Sequence, residues 1–361
     1  MSNTEMKYKF LGNTGLRVSA ICVGAMTYGL QISEVEGINV LKNAFDAGIN
    51  FVDSAPGYPI ASPGKSEEII GKAIKGDRDS WVVATKVGLL TMGGSPGAGG
   101  GQKKPPDGSL SRRTIIKSVE GSLKRLQTDH IDLLYAHGFD ANTPVEETMR
   151  AFDDMIRQGK VCYVGCSNFA TWQLCKAREI SAAHNLVQYV CIEPPYSLLA
   201  RDIETELLPY CESEGVGVCT YNPLAGEMLT GKHEFGNPPA EGRFTLPAYG
   251  PGYLIEYWSE ANFKAVDRLK QLAAERGVTL PQFALAWILN NPTVTSVLNG
   301  FTTLDQIKEN TASLDIELTP EEFQACDEVW AMFRPLRKDY TRAGPPPGLN
   351  MAQIMGTPPE K

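Results

Sequence analysis

No stretch of this 361-residue chain approaches the ~18 consecutive apolar residues that a membrane-spanning helix needs. The opening Met1-Ser-Asn-Thr-Glu-Met-Lys7 lacks an apolar signal core, so the chain is expected to stay unexported, in the cytoplasm. Like charges are not gathered into long blocks. The formal net charge of −8 argues against nucleic acid as a partner. The eight cysteines include no C-x-x-C, and Cys162 and Cys166 stand four apart without zinc-site spacing, so no metal centre is expected. Cys22, Cys162, Cys191 and Cys219 fall in apolar runs read as core strands, where thiols are expected buried, free and reduced.

Two phosphate-binding patterns are also missing. No Gly-x-Gly-x-x-Gly joins a strand to a helix, so a Rossmann-type site has no support. The glycines from Gly93 to Gly101 enclose Pro96 and follow no tight strand–helix junction, which fits a flexible loop. Gly226-Glu-Met-Leu-Thr-Gly-Lys-His233 nearly spells a P-loop. His233, however, stands where a Ser or Thr would hold magnesium, and this excludes nucleotide triphosphate binding by that route.

What the chain does have is alternation. A short apolar strand at 20–24 precedes a helix at 34–47 with Val35, Ile38, Leu41 and Phe45 at helical spacing. Helices at 65–74, 111–126, 144–158, 171–184, 202–214 and 259–276 (with an extra one at 281–290) then alternate with strands ending near Lys86, His137, Cys166, Ile192, Tyr221 and Leu298. With the run from Ile49 to Val52, this makes eight strand–helix units. They predict an α/β fold of one domain over 1–361, a closed (β/α)8 TIM barrel with extra helices. An open doubly wound sheet is the alternative that alternation alone leaves. Residues 88–108, 222–257 and the Pro-rich tail 333–361 stand outside the repeat. The first two emerge from the C-terminal face of the strands and are assigned to substrate enclosure.

Chemistry-bearing residues collect at strand ends. Phe51-Val-Asp-Ser-Ala-Pro-Gly-Tyr58 turns from strand to loop at Asp53 and carries Tyr58 five residues on. Trp81-Val-Val-Ala-Thr-Lys86 ends on a lysine, and Ile131-Asp-Leu-Leu-Tyr-Ala-His137 on a histidine. A buried carboxylate without a partner is costly, so a partner for Asp53 is expected.

Asp53, Tyr58, Lys86 and His137 together resemble the catalytic tetrad of the aldo-keto reductases. Leu11-Gly-Asn-Thr-Gly-Leu-Arg-Val-Ser19 resembles that family's opening hairpin. Gly159-Lys-Val-Cys-Tyr-Val-Gly-Cys-Ser-Asn168 resembles its fifth strand, and Asn222-Pro-Leu-Ala-Gly-Glu-Met-Leu-Thr-Gly-Lys232 its seventh loop. The branch most similar contains potassium-channel β subunits and aryl-alcohol dehydrogenases. The resemblance implies an NADP-dependent reductase of a small-molecule aldehyde or ketone. Tyr58 would be the general acid, its pKa lowered by Lys86, which Asp53 holds charged, and His137 would orient the carbonyl oxygen.

For the cofactor, the resemblance implies that Ser167 and Asn168 bind the carboxamide and that Tyr221 stacks on the nicotinamide. Thr302, Gln306, Glu309 and Asn310 would grip the adenosine end, and Lys232 and Arg243 the 2′-phosphate. Gly24, Met26, Pro223, Leu224, Gly226 and Gly300 complete the set. Thr303 and Leu304 stand where many members carry an arginine against that phosphate, and Glu193 stands where a glutamine usually meets the carboxamide. Tyr28, Phe235, Tyr249, Tyr253 and Trp258 suggest an aromatic-tolerant pocket. Two other readings stay open: a redox-neutral epimerase or dehydratase that recycles bound NADP, and a redox-sensing regulatory subunit. A homo-oligomer is open as well.

Overall fold

Eight apolar runs pair side by side as parallel strands and close on themselves, as the alternation predicts. The computed structural model describes residues 4–88 and 109–332. The barrel strands are β3 (Ile21–Gly24), β4 (Phe51–Asp53), β5 (Val82–Val87), β6 (Ile131–Ala136), β7 (Val161–Ser167), β8 (Cys191–Glu193), β9 (Gly217–Thr220) and β10 (Val294–Asn299). They follow one another round the barrel in chain order, and β10 pairs with β3 to close it. Apart from the start of β7, the strands are buried on both faces, which is why the sequence shows continuous apolar runs instead of alternation.

The helices that return the chain include α1 (Glu34–Asp46), α2 (Lys65–Ala73), α3 (Arg112–Leu126), α4 (Val145–Arg157), α5 (Thr171–Ala183) and α6 (Leu207–Glu214). Ser33 opens α1 with a capping box completed by Glu36. The buried face of α1 is Gly37, Val40, Leu41 and Ala44. Val35 is 68% exposed, so its apolar character does not mark the core side. The helix expected over 202–214 is shorter. Asp202–Glu204 form a 3-10 turn and α6 starts at Leu207, which places Pro209 in its first turn, where a missing N–H is harmless.

The hairpin covers the expected 11–19 and begins three residues upstream of it. β1 (Tyr8–Phe10) pairs with β2 (Arg17–Ser19), and residues 11–16 make the turn. Leu11 and Val18 enter the barrel-interior cluster with Phe51, Leu133 and Cys219, under the strands' N-terminal ends. Gly12 is required here: its φ is +55°, and a Cβ would lie 2.4 Å from the Val190 carbonyl oxygen.

Residues 222–257 carry local structure that the sequence did not announce. There are 3-10 turns at Ala225–Thr230 and Arg243–Thr245, then α7 (Gly250–Tyr257). Beyond them come α8 (Glu260–Arg276), α9 (Leu280–Leu289), α10 (Leu304–Thr311) and α11 (Pro320–Met332). The expected loop 88–108 and tail 333–361 lie outside the described residues, apart from Gly88. Among the described residues no helix is long and apolar enough to cross a membrane, and no group of His, Cys, Asp or Glu is placed to hold a metal. The cysteines are free, but Cys162 is exposed, at the start of β7, and Cys175 is partly so.

Candidate active site

Parallel strands deliver their last side chains to one rim, and four strand ends supply the chemistry here. Asp53 closes β4 beside Gly24 of β3 and Ala84 of β5. Lys86 sits one residue from the end of β5, level with Tyr135 of β6. His137 follows β6 directly, its amide donating to the Val87 carbonyl at 2.8 Å. Glu193 ends β8, level with Ser167 of β7.

The four tetrad residues come together. Lys86 Nζ donates to Asp53 Oδ1, and to the Ser54 carbonyl at 3.2 Å. Tyr58 Oη and His137 Nε2 are 3.1 Å apart, and Lys86 Nζ lies 5.6 Å from the centre of the Tyr58 ring. Burial, and then the Lys86 charge, pushes the His137 imidazole down to about 3, so the ring is neutral. Either neutral tautomer can make the bond to Tyr58, as donor or as acceptor.

The phenol does not follow the expected direction. Burial pushes Tyr58 well above the usual tyrosine value, and the charges of Asp53 and Glu193 add to the rise. The ammonium near it is held by carboxylates. Lys86, only 1% exposed, carries a second carboxylate, Glu193 Oε2, at 3.3 Å. Burial pulls the lysine down, and the two carboxylates more than reverse it. Glu193 is therefore on the lysine, a contact that comparison with a glutamine could not suggest.

Around this centre runs a connected polar ring. Ser167 Oγ donates to the Glu193 carbonyl at 2.9 Å. Asn168 Nδ2 donates to the His137 carbonyl and to Ser167 Oγ, both at 3.0 Å. Tyr221 Oη donates to Asn168 Oδ1 at 2.8 Å. Asn168 holds a φ of +58°, which aims its side chain back across the rim.

The outer cofactor residues divide. The Arg243 guanidinium reaches β10's end: a Cβ at Gly300 would lie 3.1 Å from its Nη2, and the same guanidinium sits over the Tyr253 ring. Asn299 Nδ2, beside Gly300, is buried with no hydrogen-bond partner among the described residues. Lys232 Nζ is instead held 2.7 Å from Glu227 Oε2. Gln306 accepts from the amide of Thr302 at 2.7 Å inside the capping box of Thr303, and Glu309 accepts from Thr279 Oγ1 on the α9 side at 2.8 Å. Asn310 and Pro223 are buried, while Gly24, Met26 and Leu224 are half-buried. Gly226 follows its neighbours into a left-handed turn closed by Asn222 Oδ1 at 2.7 Å.

Of the aromatic candidates, Tyr28 and Trp258 are core, while Tyr249 accepts a hydrogen bond from the Ile60 amide at 3.0 Å, two residues from Tyr58. Glu227 went unnoticed in the sequence. It holds a φ of +87° and accepts from the Arg243 amide at 2.8 Å as well as from Lys232. Burial raises its carboxyl, but His233, Lys232 and the Arg243 amide bring it down to about 2.

A closed parallel barrel thus gathers Asp53, Tyr58, Lys86 and His137 on one rim. Residues 20–331 match the model of the Aldo/keto reductase family, and the chain belongs to that family, which makes oxidoreductase its class. It is 40% identical over 323 residues to a probable voltage-gated potassium channel subunit beta of Oryza sativa subsp. japonica, covering 88% of this chain and 94% of the relative. It is 36% identical to the uncharacterized oxidoreductase YrpG of Bacillus subtilis (strain 168), over 90% of this chain and 96% of that one. It is also 34% identical to versiconal hemiacetal acetate reductase of Aspergillus parasiticus, over 90% and 97%.

Proposed function

We propose that this protein reduces an aldehyde or ketone to an alcohol with NADPH, in the cytoplasm, with Tyr58 as the general acid. The observation that carries the reading is the pairing of Tyr58 Oη with neutral His137 at 3.1 Å, while Lys86 stands behind the phenol, tied to Asp53. The rim residues fit a nicotinamide dinucleotide. Asn168 and Ser167 present amide and hydroxyl groups, Asn299 keeps an unpartnered buried amide nitrogen, and Arg243 brings a guanidinium suited to a phosphate. When bound, that cofactor supplies the hydride. The chain's part is to hold the carbonyl oxygen between His137 Nε2 and Tyr58 Oη and to give it the phenol's proton as it becomes an alkoxide. Steady-state turnover on a panel of aldehydes and ketones, followed by nicotinamide absorbance with NADPH and NADH, tests this. Saturable consumption of NADPH is the expected result, and no turnover on any member would overturn it.

The second reading is a regulatory subunit that senses the cofactor's redox state. It is favoured by the 40% identity to a relative named as a channel β subunit. Slow single-cycle oxidation of bound NADPH, without sustained turnover, would select it.

A further inference from the structure

Lys86 faces two carboxylates and has charge for one. Asp53 is 3% exposed and Glu193 3%, and both belong to strands whose ends meet at the ammonium. Asp53 Oδ2 is buried with no hydrogen-bond partner among the described residues, while Glu193 Oε2 lies 3.3 Å from the lysine Nζ. With both acids ionised, the trio would bury a net negative charge and leave a carboxylate oxygen of Asp53 without a donor. Both conditions are costly away from water.

Among the described residues no neighbour supplies the missing positive charge. The groups turned toward Glu193 from the packed elements are Asp53 of β4, Tyr58 after it, Lys86 of β5, Tyr135 of β6, Cys166 of β7 and Cys219 of β9, with Cys22 of β3 in the same interior layer. Of these only Lys86 is a cation. The two tyrosines and the Cys22 and Cys166 thiols are themselves pushed up by burial and stay neutral.

We propose that Asp53 and Glu193 share one proton across Lys86, and that Glu193 is a positioning residue that draws the ammonium away from Tyr58 and keeps that phenol protonated. Burial raises the carboxyls of both acids, the direction this sharing requires. The two acids then titrate as a pair, as carboxylates crowded on one site do.

The consequence rests on the reading of Tyr58 as the proton donor. A phenol held neutral is ready to give its proton in carbonyl reduction. Alcohol oxidation needs the phenolate, which a second carboxylate beside Lys86 disfavours. Glu193→Gln keeps the shape, confines the pair's single negative charge to Asp53 and takes one acidic partner off Lys86, which leaves the ammonium freer to serve the phenolate.

The experiment has two arms. In the first, infrared difference spectra in the protonated-carboxyl region, at neutral pH and without turnover, compare wild type with Glu193→Gln and with Asp53→Asn. A wild-type band that disappears in both variants is expected, because either substitution leaves one carboxylate for one ammonium. No band in wild type, or a band that survives in Asp53→Asn, would overturn the sharing. In the second arm, the pH profile of alcohol oxidation is measured for wild type, Glu193→Gln and Glu193→Asp. The rising limb is expected to move about one unit lower in Glu193→Gln, about 10-fold faster oxidation below the limb, and to return in Glu193→Asp. An unmoved limb would overturn the positioning role. Absence of turnover in every variant would remove the reductase reading, and the infrared arm would still decide whether the proton is shared.

Discussion

Tyr58 and His137 meet edge to face, their rings at 85° and the phenol oxygen 3.1 Å from Nε2. The phenol is thereby aimed by a neighbour that carries no charge. Tyr58→Phe removes the proton and keeps the ring. Turnover is expected to fall roughly 10²–10⁴-fold, the range of a positioned proton donor. Circular dichroism and cofactor titration should stay as in wild type. Retained turnover would take Tyr58 out of the reaction.

His137 also predicts an acid sensitivity. Its folded value is about 3, against roughly 6.5 in an unfolded chain. Above the unfolded value it has no effect. Below it, the unfolded chain takes up a proton that the folded one refuses, so stability is lost as pH falls. By about pH 5 the loss amounts to about 2 kcal/mol. Urea midpoints of wild type and His137→Gln should converge toward acid by that amount after their neutral-pH difference is subtracted. Parallel curves would mean that the buried imidazole accepts its proton in place.

Arg243 and Lys232 are separated by their partners. The Arg243 guanidinium lies at Gly300 and over Tyr253, while Lys232 is already spent on Glu227. Arg243→Leu is therefore expected to weaken NADPH at least 10-fold and NADH far less, since only the former offers a phosphate for a charge-assisted bond. Lys232→Ala should have the smaller effect. Fluorescence titration of both cofactors measures it, and equal losses for NADPH and NADH would remove Arg243 from phosphate recognition.

Glu227 joins Lys232 to the backbone of Arg243. Glu227→Gln keeps the size and loses the charge, at an expected cost of about 1–3 kcal/mol near neutral pH. The carboxyl is depressed in the folded protein, so its contribution is present above about 4.5 and lost as pH falls through about 2. Wild type and variant should draw together in acid. Limited proteolysis within residues 222–257 reads the same change locally, and identical cleavage would show that the tie is dispensable.

The barrel was legible because the parallel strands are buried on both faces along nearly all their length and read as apolar runs. The convergence of Asp53, Tyr58, Lys86 and His137 was legible because strand ends in such a barrel share a rim. Three kinds of feature were not. Val35 showed apolar character without burial, because a helix can point one such residue outward. Glu227 acts through a left-handed backbone turn, which a non-glycine side chain does not advertise. Glu193 was legible as a carboxylate but not as a competitor for Lys86, because that depends on how the ends of β5 and β8 face each other across the barrel.

The turn of the opening hairpin, with Leu11 sunk among the interior side chains and Gly12 locked beneath Val190, makes the barrel a vessel with one door. The rim at the strands' C-terminal ends is then the face left to a ligand. A side chain in place of Gly12 would therefore act on the closure of the far end, and so on stability, with no direct contact at the site.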